Sequence, residues 1–198
     1  MARTRAEDFE RKQRNLLLDA ARVFAEQGME KASMAQIAAE AGVSKSLLYH
    51  YYPSKDALIF SIIETHLTEL DDALAEADRP DAAPEDRLRL LVRTVLEKYR
   101  GADDQHKVQL NAAAALSPDQ RACLTEIERR IVRRFSAVLT EIRPELKGPG
   151  TMLMPVTMSL FGMMNWVYMW FKEGGPISRD DYADLATRLM LGGLGNLD

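Results

Sequence analysis

Three serines, Ser33, Ser44 and Ser54, each stand just ahead of a run with helical spacing, and they constrain the fold of this chain more than any other feature. A serine hydroxyl in that position accepts a bond from a backbone N–H of the first helical turn, so it marks where a helix begins. Between the first two serines, Ala41-Gly42-Val43 supplies a tight turn in which Gly42 can adopt a left-handed conformation at no steric cost. Between the last two, Pro53 blocks easy continuation. The result is a pair of short helices, the first ending near Ala41-Gly42 and the second covering Lys45 to Tyr51, then a long helix from Lys55 to about Ala77. A helix from about Asp8 to Gln27 precedes them. Phe9, Leu16, Leu17, Ala20 and Phe24 lie on one of its stripes, and Gly28 closes it.

Punctuation divides the remainder in the same way. Helical patterns run from Glu85 to Arg100 and from about Asp103 to Leu116. Ser117-Pro118 then opens one that continues to about Ile142. An apolar helix follows from Thr151 to Lys172. Ser178, with Asp181 three residues on, caps a last helix to about Leu191. Asp78–Pro84, Arg143–Gly150 and Gly174-Gly175-Pro176 read as connections, and no convincing alternating strand pattern is present. The expected class is all-α with about nine helices, in two domains over residues 1–57 and 58–198.

Hydrophobic residues at 46% and charged residues at 28% are ordinary for a globular chain of 198 residues. Cys123 is the sole cysteine, which rules out an intrachain disulfide and a zinc–thiolate cluster. The histidines His50, His66 and His106 are scattered, and no nucleotide loop, metal-spaced His/Glu set or nucleophile elbow occurs. A helical small-molecule enzyme is therefore the remote alternative, and no metal or cofactor is expected. The charged N-terminus lacks the apolar core of a secretory signal, which points to the cytoplasm. Thr151–Phe171 carries no charge and approaches membrane-spanning length, but Pro155, Thr157, Ser159, Gly162 and Asn165 interrupt it. A helix buried in protein accounts for it better than membrane insertion.

The net charge of −4 is no obstacle to binding DNA, because affinity depends on where Lys and Arg stand. Arg3, Arg5, Arg11, Lys12 and Arg14 lead the chain, and Arg3 and Arg5 could reach a groove as an arm or carry no role. The second short helix has a split character. Leu48 and Tyr52 can face inward, while Lys45, Ser46, Tyr49, His50 and Tyr51 crowd the other side. Polar aromatics of that size suit a surface that enters the major groove. Lys55, at the next helix start, is placed to clamp a phosphate.

The block Ser33–Lys55 resembles the DNA-binding domain of TetR/AcrR-family transcriptional regulators. The resemblance is carried by Ser33, Ile37-Ala38, Ala41-Gly42-Val43-Ser44, Tyr49, Tyr51-Tyr52 and Ser54-Lys55. Ser46 and Leu47 depart from the usual pattern, and Leu47 could touch a thymine methyl or simply pack. The likeness implies DNA contacts by Ser33, Lys45, Ser46, Tyr49, His50, Tyr51 and Lys55 on a palindromic double-stranded operator.

It also implies a homodimer built on the last two long helices, where the stripe Leu160, Met164, Val167 and Phe171 is the expected dimerisation face. The tail around Asn165-Trp166, Trp170-Phe171 and Gly192-Gly193-Leu194 is similar to family members that respond to acyl-CoA or aryl-CoA. That likeness implies a repressor released by a small apolar or acyl-CoA-type effector, with a ligand-activated regulator as the alternative. Tyr99, His106, Asn111, Asn165, Trp166 and Tyr168 are the polar-tipped candidates for contacting the effector.

Overall fold

The computed structural model describes residues 2–112, 115–148 and 150–196, with side chains from Arg11 onward, so Arg3, Arg5 and Phe9 lie outside the described side chains. Among the described residues there are nine α-helices and no strand: α1 (Ala2–Gln27), α2 (Met34–Glu40), α3 (Lys45–Tyr51), α4 (Lys55–Ala77), α5 (Pro84–Lys98), α6 (Asp103–Asn111), α7 (Pro118–Ile142), α8 (Leu153–Asn165) and α9 (Arg179–Leu194). The chain gathers into two compact units, Met1–Thr68 with Gly101–Thr125 and Glu69–Arg100 with Glu126–Asp198. A cut after residue 57 is simpler than this division, because α6 packs along α1 and joins the first unit.

In the first unit each helix boundary has a local cause. Gly28 sits at φ +83° and its N–H returns to Phe24 O at 2.9 Å, ending α1. Ser33 Oγ accepts from Gln36 N and Ser44 Oγ from Leu47 N, so both short helices are capped as their sequences require. Gly42, at φ +63°, turns the chain between them. α1 packs on α2 and α2 on α3, and Leu16, Ala20 and Phe24 of α1, Ile37 and Ala38 of α2, Leu48 of α3 and Leu58 and Ile62 of α4 are all buried. The small Ala20, Ala21 and Ala38 let these helices approach closely.

α6 ends at Asn111, short of the expected Leu116, and Asn111 Nδ2 bonds back to Lys107 O at 2.8 Å. That side-chain bond competes with helix propagation. Ser117 then opens α7 with a reciprocal pair of bonds: Gln120 N donates to Ser117 Oγ, and Ser117 N to Gln120 Oε1.

The second unit is built on α5 and α9, which pack side by side, with Leu88, Val92 and Val95 of the first and Ala183, Ala186 and Met190 of the second buried. Phe135 of α7 meets Phe161 of α8 edge to face, with ring centroids 5.0 Å apart. The charge-free run is not one helix to Lys172. α8 spans 13 residues, and Val167–Met169 continue as a 3-10 turn. Asn165, the last residue of α8, accepts a bond from Tyr99 Oη at 2.9 Å, which holds the helix end against α5. Among the described residues no helix is long and apolar enough to cross a membrane.

Candidate nucleic-acid interface

α3 presents two chemically distinct faces. Leu48 is wholly buried, and Tyr52 at the helix end is nearly so, its hydroxyl accepting from Gln13 Nε2 at 3.2 Å. Burial raises the Tyr52 phenol above its usual range, so it stays neutral. Lys45, Ser46, Leu47, Tyr49 and His50 are all exposed, Leu47 by 41% and Tyr49 by 42%. The Lys45 ammonium lies 5.8 Å from the Tyr49 ring centroid, and the Ser46 hydroxyl is 3.1 Å from that of Ser44. His50 and Tyr51 meet edge to face at 5.4 Å, with Tyr51 half-buried.

The structure thus brings Lys45, Ser46, Tyr49, His50 and Tyr51 onto one short helix, with Ser33 exposed at the start of α2. A cation, hydroxyls and rings on one rigid convex helix match the acceptors, phosphates and methyl groups of a major groove. The exposed Leu47 belongs to the same face.

Lys55 differs from the expected phosphate clamp. Its ammonium turns into the chain and donates to Met29 O at 2.7 Å, Glu30 O at 3.2 Å and Ala32 O at 3.3 Å. An ammonium has three N–H donors, and three carbonyls meet them.

The expected dimerisation stripe also needs correction. Leu160, Met164 and Val167 are buried in the core of their own unit, so they offer nothing to a partner. Phe171 is half-buried under the Arg179 guanidinium, 4.7 Å from its ring centroid. Arg179 is itself fixed by Glu173 at 2.6 Å and Leu96 O at 3.1 Å. The apolar residues that α8 and α9 do expose are Met154, Met158, Leu185 and Leu189, the last by 58%. Each pair is spaced i, i+4, but α8 is apolar all round, which hides which of its faces is outermost.

The six effector candidates fall into two groups. Tyr99 and Asn165 are joined by their hydrogen bond in the second unit, and burial pushes the Tyr99 phenol well above its normal value. Trp166 and Tyr168 follow Asn165 in sequence, their rings 6.1 Å apart, with Trp166 58% exposed. His106 and Asn111 belong to the first unit. His106 is buried opposite His66 with ring centroids 6.4 Å apart, whereas Asn111 lines a concavity of about 330 Å³ with Phe24, Met29 and Lys107.

Residues 16–62 match the family described as bacterial regulatory proteins, tetR family, and residues 81–194 match the tetracyclin repressor-like C-terminal domain. The chain belongs to the TetR family of helix-turn-helix transcriptional regulators.

Among relatives, it is 25% identical over 190 residues to the HTH-type transcriptional activator FasR of Mycolicibacterium smegmatis, covering 92% of this chain and 82% of that protein. It is 40% identical over 81 residues to the HTH-type transcriptional regulator BetI of Rhizobium meliloti, a match spanning 40% of each chain. Its fold superposes on a TetR-family regulator from Bordetella parapertussis with a TM-score of 0.83 at 34% identity, covering 92% of this chain and 95% of that one. AibR, in a crystal structure with isovaleryl coenzyme A and operator DNA, aligns at a TM-score of 0.76 and 26% identity over 90% of this chain and 97% of AibR.

Proposed function

We propose that this chain acts as a homodimer whose two α3 helices read a palindromic operator, and that a small effector of the acyl-CoA type releases it. The observation that carries the DNA-reading part is the exposed Lys45-Ser46-Leu47-Tyr49-His50 face on a helix whose other face is buried. The apolar face of Met154, Met158, Leu185 and Leu189 supports pairing of two copies, which would set two reading helices at a fixed spacing. The acyl-CoA class is supported by the isovaleryl coenzyme A bound to AibR. Within this chain it is also supported by the Tyr99–Asn165 pair set in an apolar helical core. An effector acts by favouring the dimer conformation that binds operator less well.

Fluorescence anisotropy with DNA from immediately upstream of the gene tests the reading. Specific binding is expected at moderate salt, with Tyr49→Ala weakening it roughly ten- to hundredfold and isovaleryl coenzyme A releasing the complex. Absence of a specific complex, or indifference to Tyr49→Ala, would sink it. Likeness to an activator over most of the chain favours a second reading, a ligand-activated regulator. In that case the thioester would tighten operator binding instead.

A further inference from the structure

We propose that Lys55 is a positioning residue, an internal cation that pins the turn after α1 to the start of α4 and so fixes the helix-turn-helix between them; the proposal rests on the DNA-reading function above. Lys55 is the first residue of α4, where the helix dipole is positive, so a cation there is the wrong sign for its own helix. Its partners lie elsewhere. The turn Gly28–Ala32 is closed by Ala32 N donating to Gly28 O at 3.2 Å. Within that turn the carbonyls of Met29, Glu30 and Ala32 converge on Lys55 Nζ at 2.7, 3.2 and 3.3 Å.

The turn directly follows the negative end of α1, which adds to the attraction. The clamp spans 23 to 26 residues of chain, and α2, the Gly42 turn and α3 all lie inside that span. The Gln13–Tyr52 bond ties the exit of α3 to α1, so the reading helix is held at both ends of its segment. A side chain used this way raises operator affinity by pre-ordering the reader and adds no phosphate contact.

Lys55→Met and Lys55→Arg separate this role from a phosphate clamp. In the DNA-free protein, hydrogen exchange at the Ala32 amide is expected to speed up roughly tenfold in both variants. Affinity for the upstream fragment should fall roughly tenfold in Lys55→Met, while affinity for sheared DNA of unrelated sequence and the slope of log K against log salt stay at wild-type values. Two results overturn the proposal: unchanged exchange at Ala32, or a slope shallower by about 0.9 with specific and non-specific affinity lost together. Lys55→Arg keeps the charge but spreads its donors over a planar fork, so it decides the exchange result should Lys55→Met not fold. The exchange measurement needs no DNA. Failure of wild-type protein to bind the upstream fragment would count against the DNA-reading function and leave the clamp itself decided.

Discussion

α3 and the α8–α9 pair both expose large side chains, but of opposite chemistry. The face of α3 carries Lys45, Tyr49 and His50, whereas α8 and α9 expose Met154, Met158, Leu185 and Leu189. A polar, cationic and aromatic face is complementary to a hydrated, anionic groove. A face of thioethers and leucines gains only by leaving water, and the pairing proposed above would cover it with a second copy of itself.

A charge placed on either side of α8–α9 should separate the buried face from the exposed one. Leu160→Asp buries a carboxylate in the core of the second unit. It is expected to cost about 4 kcal/mol or more and to abolish the cooperative thermal transition seen by circular dichroism. Leu189→Asp places the same charge on the outer face. Its helical signal should persist while sedimentation shifts from dimer to monomer and operator affinity falls. A dimeric Leu189→Asp protein would remove α9 from the interface.

Legibility in the sequence followed the same divide. Helix starts at Ser33, Ser44, Ser54, Ser117 and Ser178 were readable because each depends on one side chain and the next few backbone amides. The outward side of α3 was readable because Leu48 and Tyr52 stand four apart on one face, which leaves Lys45, Ser46, Tyr49 and His50 to crowd the other. In α8 that contrast is missing. Leu160, Met158 and Met164 are equally apolar, and only the packing of α8 against α5 and α9 decides which are buried. The turn inward of Lys55 was hidden for another reason: its partners are backbone carbonyls of a turn distant in sequence, and carbonyls carry no residue-type signal.

A second comparison lies in buried charge. The second unit holds Arg87 between Asp78 at 3.1 Å and Glu141 at 2.5 Å, with Arg134 reaching Asp78 at 3.4 Å. Arg87→Met would leave the nearly buried Asp78 with Arg134 as its remaining cation, at a cost of about 2 kcal/mol by denaturant titration. Burial alone would raise the Asp78 carboxyl, but Arg87 and Arg134 outweigh it and hold the value below 3.8. That ion pair therefore contributes fully above pH 3.8 and is lost only as the pH falls through the lower folded value.

The first unit responds to milder acid. Burial first, and the facing His106 second, lower His66 from 6.5 to about 4. Between those values the unfolded chain binds the proton that the folded chain refuses, so the stability held above pH 6.5 is lost as pH falls toward 4. The full effect is on the order of 3 kcal/mol. Equilibrium unfolding across that range should show the slope, and His66→Leu should flatten it; an unchanged slope would mean His66 titrates normally.

The smallest expected effect makes the sharpest distinction, because it compares two serines with the same local job. Ser33 and Ser178 each accept a bond from the backbone amide three residues on, at 3.2 and 3.1 Å. Replacing either with alanine should cost about 1 kcal/mol of stability. Their hydroxyl protons go to different places. Ser178 donates to Asp181 Oδ2 at 2.7 Å, alongside the capping box that the backbone amides of Ser178 and Asp181 close. Ser33 stands exposed at the head of α2, where its proton can be given to a phosphate while its oxygen continues to cap. Ser33→Ala should therefore weaken operator binding beyond its effect on stability, by roughly fivefold, whereas Ser178→Ala should lower the melting temperature alone. Equal losses of affinity in the two variants would show that Ser33 acts only as a cap and gives no proton to a phosphate.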